Sequence, residues 1–387
     1  MTQPKRDNAA SVKQRLLNLA HVLDEEFEQV LVRYVAERFL FRLSKSYHAD
    51  SFLLKGAMLF VAWEGLPHRV TRDVDLLGLG EPSVDRVAGM MRDIALQPVE
   101  DDGINFDIAS VEAEEIRTAQ DYGGVRVTVN AMLGKARIRL QVDVGFGDAV
   151  TPEAQIVEFP SLLGHMPAML RAYPPETVIA EKALVIIERG LVNSRIKDYF
   201  DILHLARTRA FTGNTLVRAL TATADRRRVP IVAGNVAGLS TEFAADLSKQ
   251  AQWRGLCARL RAGAQQDSLS DVVASLATFL GPISRLLLDE SGGSAHGRRV
   301  GRGASHIVVL HAVLRPASTL HAPKRFRVWG RVTWRSCHRA STASHHDWLE
   351  LNTASVQRTT QCANICQKRR SSAGGMRNPT SKTSRSR

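Results

Sequence analysis

Long apolar runs are missing from this 387-residue chain. No segment approaches the roughly 20 apolar residues that a membrane-spanning helix needs. The polar start MTQPKRDNAAS lacks the apolar stretch of a signal peptide, so a cytoplasmic location is expected. Cysteine is scarce as well. Cys257 stands alone in the body, and Cys337, Cys362 and Cys366 lie near the end, which excludes a disulfide framework. No internal repeat is visible. Acidic residues nearly vanish after Ser291, where Asp347 and Glu350 face 18 Lys and Arg. The whole chain holds 52 basic and 39 acidic residues. The part before Ser291 therefore has 34 and 37, and its net charge is −3, against +16 for the tail. The basic character of the protein belongs to that tail.

The 387 residues suffice for one large or two ordinary domains. Ser11 to Leu23 and Asp24 to Ser44 carry apolar residues at helical spacing. Their aromatic residues, Phe27, Tyr34 and Phe39 among them, are expected in a core. Pro82 to Leu96 is predicted helical, and Ile104 to Val111 extended with a polar exit over Glu112 to Ile116. Val125 to Leu133 and Ala136 to Val144 alternate as two strands joined by a tight Gly134-Lys135 turn. Tyr173-Pro174-Pro175 marks a boundary. Beyond it the pattern is helical: Glu176 to Arg189, Arg195 to Thr208, Asn214 to Arg226, Ser240 to Arg261 and Ser268 to Leu288.

The chemistry concentrates in SFLLKGAMLFVAWEGLPHRVTRDVDLLGL, Ser51 to Leu79. Gly56, in the Lys55-Gly56-Ala57 turn, lets backbone N–H groups approach a ligand because it has no Cβ. A helix starting near Ala57 aims the positive end of its dipole at an anion such as a triphosphate. Gly65-Leu66-Pro67 breaks that helix. Asp73 and Asp75 then share one face of a strand while Val74 and Leu76 face a core. Two carboxylates about 6–7 Å apart along a strand suit a hard cation such as Mg²⁺, which is held by few carboxylates plus substrate phosphates. An Asp-x-Asp pair alone is far more often a solvated strand face than a metal site. The order of Gly turn, helix, break and Asp-x-Asp strand is what makes the pattern specific. It resembles the nucleotidyltransferase superfamily, whose first motif is a Gly-Gly or Gly-Ser pair, a spacer and Asp-x-Asp.

Further residues extend the pattern. Asp143 stands on the strand face opposite Val142 and Val144. It is a surface carboxylate on its own, or a third acid that completes a metal site or takes a proton from an attacking hydroxyl. Lys182 and Arg189 are two helical turns apart and share a face, as a point charge and a fork suited to phosphates, or simply as a solvated face. Asp198 opens the next helix and either supports its N-terminus or positions Lys182 and the nucleotide.

Taken together, LLKGAMLF, TRDVDLLG, QVDVGFGD, YPPETVIAEKA and NSRIKDYFDIL resemble the AbiEii/AbiGii toxin family of abortive-infection and toxin–antitoxin systems over about Ser11 to Leu288. The resemblance implies an α+β fold: a nucleotidyltransferase-like mixed sheet with flanking helices, then a helical C-terminal half. The corresponding divisions are residues 1–50 (N-terminal helices), 51–172 (nucleotidyltransferase core), 173–290 (helical domain) and 291–387 (basic tail). It also implies Mg²⁺-dependent transfer of a nucleotide from an NTP, with the 3′ end of tRNA as acceptor, and a cognate antitoxin as partner. By the same resemblance Gly56 and Ala57 form the phosphate-gripping turn, and Asp73 and Asp75 are the metal carboxylates. Lys182 is the phosphate lysine, Asp198 the fourth-motif aspartate, Asp143 a further catalytic acid and Arg189 a further nucleotide-binding residue. Ala57 departs from the family pattern, which has a second Gly or Ser there. Competing readings are nucleotidylation of a protein hydroxyl and a non-catalytic RNA-binding protein.

The tail has no counterpart in that pattern. It is expected to be a disordered basic arm that binds RNA, a stretch without selected structure, or a zinc site of Cys337, His338, Cys362 and Cys366. Truncation at about Glu290 is expected to leave a folded, catalytically competent enzyme that loses mainly salt-sensitive RNA affinity. Transfer to RNA by full-length and truncated protein, at low and near-physiological salt, checks this. A folded but inactive truncated chain at both salts contradicts it.

Overall fold

Burial of alternate residues decides how the central strands stack. The computed structural model describes residues 8–65, 67, 69, 71–116, 123–230, 236–260, 267–292 and 309–310, the last eleven residues of the 267–292 stretch by backbone only. Apart from residues 291–292 and 309–310, the tail lies outside the described residues, and so do its candidate zinc residues. Two helices, α1 (Asn8–Leu23) and α2 (Phe27–Lys45), lead into the short strand β1 (Phe52–Lys55), helix α3 (Met58–Glu64) and strand β2 (Asp73–Gly78). Helix α4 (Val84–Leu96) is followed by β3 (Ile104–Ile116), β4 (Gly124–Leu133), β5 (Ala136–Phe146), β6 (Gln155–Phe159) and β7 (Ala168–Ala172). Helices α5 (Pro175–Arg189) and α6 (Ile196–Thr208) come next. After the two-residue strand β8 (Phe211–Thr212) follow α7 (Gly213–Arg227), α8 (Thr241–Ala245), α9 (Leu247–Cys257) and α10 (Leu269–Gly292). The two-residue β9 (Val309–Leu310) pairs with β8.

The first seven strands form one mixed sheet in the order β3-β4-β5-β2-β1-β7-β6. β2 runs antiparallel to β1 and parallel to β5, and β1 runs parallel to β7. The expected fold class, a mixed sheet with flanking helices, is the one observed. Helix α2 packs on β5 and β7, and α4 on β3 and β4. Val74 and Leu76 are fully buried, as are Leu140 and Val144 of β5. A slip of one residue would turn these apolar side chains to solvent, so the core fixes which residues of β2 and β5 face outward. No helix among the described residues is long and apolar enough to cross a membrane.

Several boundaries differ from the expectations. β3 continues through the polar Glu112–Ile116 stretch, with an irregular register between Asp107 and Glu112. A bulge absorbs the break in alternation, so the polar residues remain strand. The single helix expected over Ser240 to Arg261 is two, because Asp246 is extended and its side chain accepts a hydrogen bond from the Lys249 N–H. That cap satisfies a free N–H of α9 and starts it afresh. β6 and β7, which lack a clear apolar alternation, were not expected at all.

An ionic cluster ties α2 to the loop before β3. Asp102 accepts from Arg38 Nε at 2.7 Å and from Arg42 Nη1 and Nη2 at 2.7 and 3.1 Å. All three side chains are buried. Burial raises the Asp102 pKa, but the hydrogen bonds and charge of Arg42, then Arg38, outweigh it and hold the carboxyl below its usual range. A depressed folded pKa means the stabilisation is present above the unfolded carboxylate pKa, near 3.9, and is lost as pH falls towards the folded value. Asp102→Ala leaves two buried guanidiniums without their carboxylate and is expected to cost about 3–5 kcal/mol at neutral pH. Urea denaturation at pH 7 and at about pH 3 measures this, with a smaller difference between variant and parent in acid.

Candidate active site

The register of four strands sets four charged side chains in a row. Arg126 on β4 lies opposite Asp143 on β5, Asp143 beside Asp75 on β2, and Asp75 opposite Lys55 on β1. Their chain neighbours Val125, Val127, Val142, Val144, Val74, Leu76 and Leu54 are buried, so the four face away from that core. They line a cleft of about 1060 Å³ together with residues of α5, α6, α7 and α9. Among the described residues, its lining carries ten Lys or Arg and six Asp or Glu side chains. The described part of the chain is close to neutral, so this excess of cations is local and suits a polyanionic ligand.

Of the nominated residues, Gly56, Ala57, Asp75, Asp143, Lys182, Arg189 and Asp198 all line this cleft. Asp73 begins β2 in an exposed position and stands outside the lining. It still lies within electrostatic reach of Asp143 and Arg126. Gly56 has φ +69°, and a Cβ there would sit 2.0 Å from Asp75 Oδ2. Gly56 thus makes room for the carboxylate as well as allowing the turn. Burial pushes the Asp75 carboxyl up to about 6; Lys55 pulls it down, and Asp143 and Asp73 push it up. Burial and the neighbouring Asp143 also raise Asp73.

Lys182 is not free in the cleft. Its Nζ donates to Asp198 Oδ1 at 2.7 Å and lies 2.9 Å from Asp201 Oδ2. Burial lowers its pKa, but the charges of Asp201 and Asp198 more than offset this and keep it protonated. Asp198 also accepts from Arg195 Nε at 2.7 Å. Asp201 is fully buried and accepts both guanidinium donors of Arg69, at 2.8 and 3.0 Å. Asp198 therefore holds the Lys182 ammonium through this hydrogen bond and also sits in the first turn of α6. Asp201 shares that task and links it to the segment before β2. Lys182 has three donors, and two go to these aspartates. Arg189, the last residue of α5, is exposed at the cleft.

Several functional candidates escaped the sequence reading. Lys55 donates to Asp148 Oδ2 at 2.5 Å; a Cβ at Gly145 would lie 3.1 Å from its Nζ. Tyr173 donates to the same Asp148 oxygen at 2.9 Å. Arg227 donates to Glu181 at 3.2 Å. Burial raises the Glu181 carboxyl to about 7, opposed by Lys55 and reinforced by Asp148. Burial pushes Asp148 up too, but Lys55 and the Tyr173 hydroxyl hold it below its usual value. Of this carboxyl pair Glu181 is therefore the one that takes up a proton more readily. Arg126 grips Asp143 with two donors, Nε to Oδ1 at 2.9 Å and Nη2 to Oδ2 at 2.8 Å. Strand alternation put Arg126 on the same face type as Asp143, but only the cross-strand register reveals the pair.

Among solved structures, the chain is similar to JHP933 from Helicobacter pylori: 14% identity, TM-score 0.40, covering 69% of this chain and 96% of that one. A candidate nucleotidyltransferase from H. pylori matches at 15% identity and the same TM-score, over 70% of this chain and all of the other. No curated protein matches. The family described as nucleotidyl transferase AbiEii toxin, type IV toxin–antitoxin system, matches residues 38–275, well over half of the chain and the whole of the charged row, and this protein belongs to that family.

Proposed function

We propose that this cleft transfers a nucleotide from an NTP to the 3′ hydroxyl of an RNA, with tRNA as the acceptor that blocks translation. Membership of a nucleotidyltransferase toxin family supports the transfer reaction. The observation that carries the site assignment is the register of Asp75 between Asp143 and Lys55 in a cation-rich cleft. The acceptor reading rests on that cation excess and on the accessibility of a single-stranded 3′ end, which a protein grips through phosphates and stacking. The type IV system implies an antitoxin that opposes the activity.

The donor set fits Mg²⁺. Asp73 and Asp75 would supply hard oxygen ligands from one strand face; burial raises Asp75 to about 6, Lys55 opposes the rise and Asp143 and Asp73 add to it, and a cation would relieve it. Among the described residues no group of three or more His, Cys, Asp or Glu is disposed to hold a metal, so phosphate oxygens of the NTP would complete the shell. Bound there, Mg²⁺ would neutralise charge on the triphosphate and the leaving pyrophosphate.

The protein residues divide the remaining work. Lys182, pinned by Asp198 and Asp201, presents a fixed positive charge to the triphosphate, with Arg189 further along the same helix. Gly56 keeps the turn clear beside Asp75. The acceptor hydroxyl attacks the α-phosphorus, the bond to the β-phosphate oxygen breaks, and pyrophosphate leaves. Asp143 takes the hydroxyl proton. Such sites act by positioning and charge stabilisation more than by covalent chemistry.

Asp73→Asn and Asp75→Asn are each nearly isosteric and remove a charge. They are expected to lower transfer by more than tenfold, about 1.4 kcal/mol of barrier, with little change in thermal stability. Growth arrest on expression without antitoxin should disappear with Asp75→Asn. Lys182→Ala is expected to raise the NTP KM more than Arg195→Ala, because the Lys182 side chain is only 13% exposed and held at the cleft while Arg195 is half-exposed beyond the end of α5. Activity within tenfold for the Asn variants would remove the metal assignment, and equal effects of the two cation variants would remove that of Lys182.

A further inference from the structure

Asp143 faces the cleft, but both of its carboxylate oxygens are occupied. Arg126 takes one oxygen with Nε and the other with Nη2. Gln141 Nε2 adds longer contacts of 3.3 and 3.2 Å. A bidentate guanidinium takes one lone pair on each oxygen and neutralises the charge with which a carboxylate accepts a proton or attracts a cation. The pair thus holds Asp143 out of the reaction as long as it stays closed.

Arg126 is not locked there by packing. Its side chain is 37% exposed at the cleft, against 20% for Asp143. Its remaining electrostatic partners are Asp73 and, opposite it on β3, Glu114. The guanidinium therefore stands where positive charge is wanted by three carboxylates, Asp143 in the cleft row and Asp73 and Glu114 outside it. A half-exposed ion pair contributes little net stability, so a competing anion can take the fork at small cost. Guanidinium binds phosphate with the same two-donor geometry as carboxylate.

We propose that Arg126 is an exchangeable counter-ion and a positioning residue for the acceptor. In the free protein it neutralises Asp143 and masks it. When an acceptor strand enters, the fork passes to a backbone phosphate of that strand, and Asp143 is released towards the nucleophile. Acceptor binding and exposure of the third carboxylate become one event, which limits use of water as an acceptor. The proposal rests on the reading of the cleft as a nucleotidyltransferase site with an RNA acceptor.

The test uses full-length protein as wild type, Arg126→Gln, Arg126→Lys and Arg139→Gln, with thermal unfolding as a folding check. Arg139 lies four residues before Asp143 on β5, donates to Thr128 Oγ1 and controls for loss of a positive charge nearby. The first readout is Mn²⁺ binding without nucleotide. Arg126→Gln is expected to bind at least about fivefold more tightly, with Arg126→Lys intermediate and Arg139→Gln unchanged. The second readout is transfer to RNA. Arg126→Gln is expected to raise the acceptor KM about tenfold with kcat changed by less than about threefold. Unchanged Mn²⁺ affinity in Arg126→Gln overturns the masking. An unchanged acceptor KM overturns the acceptor role even if Mn²⁺ binds more tightly. If Arg126→Gln does not fold, the same outcomes are taken from Arg126→Lys. Failure of the wild type to modify any RNA would instead overturn the proposed function, and the Mn²⁺ measurement would still decide whether Arg126 masks Asp143.

Discussion

The pairing of β2 between β1 and β5 is the constraint on which the site depends. Val74 and Leu76 are buried without residual exposure, so β2 has one acceptable register and one acceptable face outward. That register sets Asp75 beside Asp143 and opposite Lys55. Two carboxylates on adjacent strands repel, and the energy that holds them together comes from the apolar residues beneath. Lys55 at one end of the row and Arg126 at the other balance the charge. The site is an arrangement in which core burial is set against electrostatic crowding, and a bound cation would relieve the crowding without any movement of the strands.

A second charged system holds the facing helices. Lys182 on α5 is fixed by Asp198 and Asp201 on α6, and Asp201 is fixed in turn by Arg69 from the segment before β2. The cation that would meet the phosphates is thus indexed to the same strand that carries the carboxylates. The Lys55, Asp148 and Glu181 group joins β1 to the end of β5 and to α5. Because Glu181 and Lys182 are adjacent in sequence, one helix contributes to both systems.

Much of this was legible in the chain. Period-two alternation placed Asp73 and Asp75 together and Val74 and Leu76 inside. Helical spacing placed Lys182 and Arg189 on one side of α5. The mixed sheet with flanking helices followed from the motif order and its family resemblance. What was not legible depends on contacts between segments far apart in sequence. The grip of Arg126 on Asp143 and the reason for Gly56, a Cβ that would strike Asp75, require the cross-strand register. Glu181 sat in plain view beside Lys182, yet its raised pKa comes from burial against Asp148, 33 residues earlier. β6 and β7 escaped because their pairing, not their composition, makes them strands. The split of the Ser240 to Arg261 helix turned on Asp246 using its side chain as a cap, a local signal that the apolar periodicity on both sides obscured.

The central claim is that the protein moves the nucleotidyl group, not the terminal phosphate, onto RNA. The most direct measurement supplies purified protein with NTPs labelled at the α- or the γ-phosphate, Mg²⁺, and either total RNA or total protein. The account predicts α label on RNA 3′ ends and γ label released in pyrophosphate. Label transferred from the γ position, or α label confined to protein, would contradict it.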